Sequence, residues 1–228
     1  MTKNKLAKII AGIGTLALLQ AGLVYAAGEP ASLDADVVEY DTKTSVVTAT
    51  GNVLMKRGTS KVAGAKATYN VQTQAGTVEG NVIAVRENLR ITCQKLVSDG
   101  QEHMQALGGV HATELDREFI GEQVDYFPNQ NKYILIETGG MAKSKDGTFT
   151  ADRLEGWMDD EHYIGTGNAH LISSPRDLEA GGDRCDYYGK EEGKAILTGN
   201  AWAIQDNNTV KSNKMIIYLA KDGNAKVQ

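Results

Sequence analysis

Apolar and polar positions alternate along most of this chain, and a short phrase returning about every thirty residues organises the alternation. The phrase reads Gly51-Asn52-Val53, Gly80-Asn81-Val82, Gly108-Gly109-Val110, Gly139-Gly140-Met141, Gly167-Asn168-Ala169 and Gly199-Asn200-Ala201, at intervals of 29, 28, 31, 28 and 32 residues. A second phrase keeps step with it, a small residue followed five positions later by an aromatic: Ala35 to Tyr40, Gly64 to Tyr69, Gly121 to Tyr126 and Gly182 to Tyr187. It returns in weaker form at Cys93 to Ser98, Ala151 to Gly156 and Asn213 to Tyr218. A fixed period of this length means one supersecondary unit stacked on copies of itself, here six units and the start of a seventh.

Alternate side chains of a strand point to opposite faces, so parity can be read from the columns of the repeat. Two positions before the tyrosine column stand Val38, Ala67, Leu96, Val124, Leu154, Cys185 and Ile216, all apolar or small. One position before it stand Glu39, Thr68, Val97, Asp125, Glu155, Asp186 and Ile217, mostly polar. Around the glycine phrase, Val53, Val82, Val110, Met141, Ala169 and Ala201 share one parity with Val47, Gly76, Met104, Leu135, Tyr163 and Ala195, and none is charged. This period of two predicts half-buried β-strands with one wet and one buried face.

Gly-Asn can also be read as a two-residue hairpin turn. In that geometry Thr50, Glu79, Thr138, Thr166 and Thr198 would pair with the Val/Met/Ala column, mixing polar with apolar positions. A strand that runs through the glycine, bent or bulged there, keeps the faces separate and is the expected conformation.

Composition sharpens the picture. There are 25 glycines but only 3 prolines and 3 phenylalanines, and no stretch after residue 26 sustains a helical apolar period. The expectation is an all-β ladder whose buried columns stack along one axis, either a rolled sheet or a solenoid. The inward columns are lean in bulk, which leaves room for a guest where a self-filled sheet would want larger side chains. Residues 1–26 stand apart: Lys3, Lys5 and Lys8 precede the apolar run Ile9–Leu19, and Val24-Tyr25-Ala26 suits signal peptidase. This reads as a secretory signal cleaved after Ala26, an uncleaved anchor being the alternative. Residues 27–228 are taken as one domain.

Net charge is −5, and removing the three signal lysines makes it −8. That excludes the basic face a nucleic-acid binder needs. The two cysteines fall in different columns, Cys185 inward and Cys93 outward by parity, which predicts two free thiols. His103 and His111, like His162 and His170, are eight residues apart, a strand distance of about 26 Å that no single metal ion can bridge. All four fall on the outward parity and read as solvated surface histidines. There is no nucleophile elbow, phosphate loop or dinucleotide fingerprint.

The ordered series Ala35-Asp36-Val37-Val38-Glu39-Tyr40, Thr48-Ala49-Thr50-Gly51-Asn52-Val53 and, near the end, Leu197-Thr198-Gly199-Asn200-Ala201-Trp202 with Lys214-Met215-Ile216-Ile217-Tyr218 resembles the OstA-like family, in particular its LptA-type lipopolysaccharide transport members. The resemblance covers most of residues 34–220. It implies an open β-jellyroll with a V-shaped apolar groove, no catalysis and no cofactor. It also implies a periplasmic protein that shields the acyl chains of lipopolysaccharide, stacks head to tail through its terminal strand edges, and meets LptC-like inner-membrane and LptD-like outer-membrane proteins. The family's lipid contacts form no compact motif, so the groove residues expected here come from parity: Val38, Val47, Val53, Val82, Met104, Val110, Val124, Leu135, Leu154, Leu171, Leu197 and Ile216. The chain departs from the family pattern at Ser98 and Gly156, which replace the tyrosine, and at Glu137, which falls on the inward parity and marks a groove mouth or a register shift. Two other readings share the repeat: an anchored LptC-like member that retains residues 1–26, and an exported structural or adhesive β-solenoid with a filled core.

Overall fold

The computed structural model describes residues 31–189, 193–219 and 225–227; residues 1–26, expected to be a secretory signal, lie outside them. The chain divides into two compact units, Met1–Leu115 with Asp125–Asn129 and Asp116–Val124 with Gln130–Gln228. Among the described residues both are antiparallel β-sheet, and a single 3-10 turn at Ser174–Arg176 is the one helical element.

In the first unit β1 (Ala31–Asp34) and β2 (Val37–Asp41) lie on the same edge of β3 (Val46–Arg57), one at each end. From β3 a meander continues through β4 (Ser60–Asn70), β5 (Gly76–Arg86), β6 (Leu89–Ser98) and β7 (Met104–Glu114). Apolar residues meet across every pair: Val47 faces Tyr69, Met55 faces Val62, Val78 faces Leu96 and Val82 faces Cys93. All eight are buried. Each such aliphatic side chain withdrawn from water contributes about 1.5–3 kcal/mol, and cross-strand contact fixes the register.

The second unit takes β8 (Arg117–Phe127) as far as Val124, then β9 (Tyr133–Ile136), β10 (Gly140–Ser144), β11 (Gly147–Ala151) and β12 (Arg153–Trp157). β10 pairs with β8 and β11, β9 pairs with β12, and β11 and β12 lie along the two halves of β13 (His162–Ser173). A meander follows through β14 (Leu178–Tyr188), β15 (Lys194–Gln205), β16 (Asn208–Leu219) and β17 (Ala225–Val227).

The glycine phrase is where the strands bend. The β3–β4 register jumps between Thr50 and Val53, so that Gly51 and Asn52 stand opposite the single residue Ala65. The same jump occurs at Glu79/Val82, Thr166/Ala169 and Thr198/Ala201. At these bulges both residues take positive φ, +78° and +47° at Gly51 and Asn52 and +71° and +48° at Gly199 and Asn200. Glycine enters that region without penalty and asparagine tolerates it better than most residues. The strand therefore runs through the glycine, as the separation of polar and apolar columns predicts, and no hairpin forms there.

The second phrase supplies the other half of the joint. The Asn52 amide donates to both oxygens of Asp36 at 3.2 and 3.0 Å. Asn168 donates to Asp152 at 2.8 Å, and Asn200 to Asp183 at 3.2 and 3.1 Å. A Cβ at Gly51, Gly167 or Gly199 would run into that same aspartate.

Parity fails at a few places, each for a stated reason. A bulge that sets two residues against one leaves the bulged strand in phase but slips its partner by one. Cys93, three residues before buried Leu96, is thereby buried at 4 % exposure and not outward as the parity count has it. Val38 pairs with Ala49 on the expected face yet is 51 % exposed, on a strand of only five residues at one end of β3. Leu135 pairs with Glu155 and is half-buried, while Ile136 opposite Leu154 takes the core at 1 %. The strand breaks at residues 137–139, so Gly140 and not Met141 meets Gly121; Glu137 therefore marks a register shift. In the last unit Met215 and Ile217 face Leu197 and Ala195 in the core, leaving Ile216 half-buried and Tyr218 exposed.

The joint predicts a graded cost. Gly199→Ala combines positive φ with the Asp183 clash, whereas Gly109→Ala shares a positive φ (+58°) in open space. Urea unfolding of the first should show a loss of about 2–3 kcal/mol and of the second about 1 kcal/mol. Equal losses would remove the aspartate from the account.

Candidate functional site

The second unit contains a cavity of about 320 Å³. Its apolar lining comes from Phe119 on β8, Phe149 on β11, Tyr163 and Leu171 on β13, and Cys185 and Tyr187 on β14. Strand pairing puts these groups together: Phe149 lies opposite Leu171 on one side and Ala142 on the other, and Ala142 lies opposite Phe119. Gly165 belongs to the same face; a Cβ there would strike the Phe149 ring at 2.5 Å, so the ring lies down where a larger residue would lift it. A smaller apolar hollow lies among Phe119, Ile134, Ile136, Leu154 and Tyr163.

Charged groups edge the larger cavity. Arg117 pairs with Glu161 at 3.7 Å and Lys145 with Asp116 at 3.9 Å. Lys143, also on the edge, pairs with Glu118 at 3.7 Å. These are long, partly exposed contacts that contribute at most about 1 kcal/mol each. Arg176 closes the 3-10 turn and donates through its terminal nitrogen to Ser173 Oγ at 3.1 Å. Ser173, 2 % exposed, donates in turn to the Asp146 carbonyl at 2.8 Å. The Arg176 Nε is buried and has no hydrogen-bond acceptor. Burial pushes the Cys185 thiol up to about 12, with Asp186 adding to the effect, and burial followed by Asp146 raises the Tyr187 phenol.

Of the twelve residues expected from parity, Leu171 lines this cavity and Leu154 the smaller hollow. Val47, Val53, Val82, Met104 and Val110 are buried in the first unit, and Val124 and Leu197 in the second. Val38, Leu135 and Ile216 lie outside the buried face for the reasons given above. Tyr163 stood in the inward column without being counted among the groove residues, and the residues that parity reading missed are Phe119, Phe149 and Arg176. Two of the chain's three phenylalanines sit in this one region, a signal that composition carried but the columns did not use.

The histidines differ from the solvated reading at three positions. His103 reaches buried Asp125 at 2.6 Å and stacks on Phe127. His162 stacks between Trp157 and Tyr188, with ring centroids 5.2 and 4.4 Å away. His170 contacts Glu179 at 2.9 Å and Trp202. His111 is exposed. Among the described residues no three His, Cys, Asp or Glu side chains converge as a metal site would require, and no helix there is long and apolar enough to cross a membrane.

The bulged meander with its buried apolar ladder defines an all-β, jellyroll-class protein with a walled cavity in its second unit. The chain belongs to the LptA/(LptD N-terminal domain) LPS transport protein family, whose model matches residues 32–223. It is also similar to the crystal structure of LptH, the LptA-homologous periplasmic component of the conserved lipopolysaccharide transport device from Pseudomonas aeruginosa. Sequence identity is 14 %, the match covers 64 % of this chain and 96 % of that one, and the TM-score is 0.36. No curated protein matches the chain. The assignment therefore rests on the family match, and the family is one of transport proteins.

Both cysteines are unpaired and buried, and burial raises both thiols. Iodoacetamide at pH 8 should leave the native protein unmodified over a time in which the urea-unfolded chain takes two adducts in its intact mass. Rapid labelling of the folded chain would show that one thiol opens to solvent.

Proposed function

We propose that this protein is a non-enzymatic periplasmic carrier that shields the acyl chains of lipopolysaccharide in its apolar interior and bridges the inner and outer membranes. One observation carries the reading: in a chain of the lipopolysaccharide transport family, the second unit holds a cavity walled in part by Phe119, Phe149, Tyr163 and Leu171 and in part by charged groups. Acyl chains leave water for such a space because apolar surface is removed from solvent at about 25 cal/mol per Å². Charges at the edge suit an amphiphile, whose head stays wet while its chain is dry. In this reading each unit has its own apolar wall, with Val47, Val53, Val82, Met104 and Val110 in the first and Val124, Leu154, Leu171 and Leu197 in the second, and Leu171 and Leu154 are the ones that line open space.

The partners are lipopolysaccharide itself, LptC-like inner-membrane and LptD-like outer-membrane proteins, and further copies of this chain. Supporting the last are two strand edges. β2 exposes both Val37 and Val38. Residues 208–214 of β16 are exposed and pair with β15 alone, since β17 reaches only Ile217–Leu219. Unpaired edges of this kind accept another strand.

The first test is native mass spectrometry of the purified chain with lipopolysaccharide. A glycolipid adduct is expected, lost in Leu171→Asp while the far-ultraviolet β spectrum persists. A folded wild-type protein that takes no adduct under conditions where a known carrier does would move the reading to a structural β-solenoid. A second test addresses assembly. The double change Val37→Lys/Val38→Lys, on exposed positions that cost the fold little, should shift sedimentation velocity profiles from higher assemblies to monomer. Unchanged profiles would exclude this edge as the joint.

A further inference from the structure

Four cations line the cavity of the second unit, and three of them have carboxylate partners: Arg117 with Glu161, Lys143 with Glu118, and Lys145 with Asp116. Arg176 does not; among the described residues its one side-chain hydrogen bond goes to the neutral Ser173 hydroxyl. Its Nε–H is buried without an acceptor. That atom is shielded from the cavity as well as from water, so the terminal nitrogens are the donors a guest can meet. The turn that carries Arg176 is itself fixed: Asp177 stands in the left-handed region at φ +45°, and the Gln205 amide donates to the Arg176 carbonyl at 3.2 Å. Arg176 thus lines the same cavity as Leu171 and Phe149, with terminal N–H groups beyond the one that meets Ser173.

We propose that Arg176 is the anchor for the anionic head of a single-chain amphiphile whose alkyl chain lies in this cavity, the head being a phosphate monoester or a carboxylate. The proposal rests on the lipid-carrier reading and adds to it a residue that selects for charge. The planar fork of arginine donates two parallel hydrogen bonds to such an anion, and the contact gains from the low dielectric of an apolar wall. Asp116, Asp146 and Glu161 also line the cavity. Asp116 and Glu161 are already turned to Lys145 and Arg117; the Asp146 carbonyl accepts from the same Ser173 hydroxyl that Arg176 meets, so Asp146 is the carboxylate that an anion at Arg176 would face.

The test is isothermal titration of the purified chain with three probes: dodecyl phosphate below its micelle concentration, dodecan-1-ol, and inorganic phosphate. Dodecyl phosphate should bind at least about tenfold more tightly than the alcohol, as a charge-assisted pair at a dry site supplies. Arg176→Gln should abolish that difference without altering alcohol binding, and Arg176→Lys should keep part of it. Equal binding of the two amphiphiles, or a difference that survives in Arg176→Gln, overturns the anchor and leaves the apolar carrier standing. Inorganic phosphate binding as tightly as dodecyl phosphate overturns the amphiphile and leaves a free-anion site. Binding of neither amphiphile to a folded wild-type chain sinks the carrier reading and the anchor with it. Should Arg176→Gln fail to fold, the wild type still decides: added salt must weaken dodecyl phosphate and not dodecan-1-ol, and equal salt dependence overturns the anchor.

Discussion

The structure depends on one joint, repeated along the chain: two residues in left-handed conformation on one strand, clasped by a side chain from the segment alongside. At Gly51-Asn52, Gly167-Asn168 and Gly199-Asn200 the clasp is an aspartate, and at Asn81 it is Gln94. Long antiparallel strands of eleven or twelve residues would otherwise twist out of alignment with their neighbours. A bulge relieves that twist by bending the strand. Because two residues of the bulged strand stand against one of its partner, the buried parity of the bulged strand before and after the bend is the same. Ala49 and Val53 therefore face one core although the chain turns between them.

That constraint explains why so much of the fold was legible. Glycine is required twice over, by positive φ and by the closeness of the clasp, so it recurs at every bend and betrays the period. The alternation on the bulged strands then marks the core directly, as at Val47, Val53 and Val82. What parity could not show is the slip on the strand opposite. Nothing in Cys93 itself says that Gln94, one residue on, stands against both Gly80 and Asn81. Nor does Leu135 announce that residues 137–139 leave the sheet. Ile216, Ile217 and Met215 are three apolar residues in a row, and only pairing with Leu197 and Ala195 decides which two are covered.

The site was less legible than the fold because it is built where the repeat is irregular. The fourth and fifth repeats break into the short strands β9 to β12 in place of long bulged ones. Phe119 and Phe149 face each other across Ala142, and Gly165 leaves space beneath the Phe149 ring. A regular column of valines and alanines interdigitates and fills. Two large rings set around an alanine and a glycine do not fill as evenly, and the remaining volume is the cavity. Arg176 comes from a turn between strands, which a strand-parity argument never samples.

The two units therefore stand differently toward a guest. In the first, Val53, Val62, Val78, Val82 and Ala84 are at most 1 % exposed, so an acyl chain could reach them only by parting strands that already satisfy one another. That would surrender dispersion contacts before any new ones form. In the second, the volume exists before the guest arrives, and filling it adds contacts without breaking a ladder. The cost of entry is lower there, and so is the strain that a partly inserted chain would impose. An amphiphile should accordingly settle first between Phe119, Phe149 and Leu171.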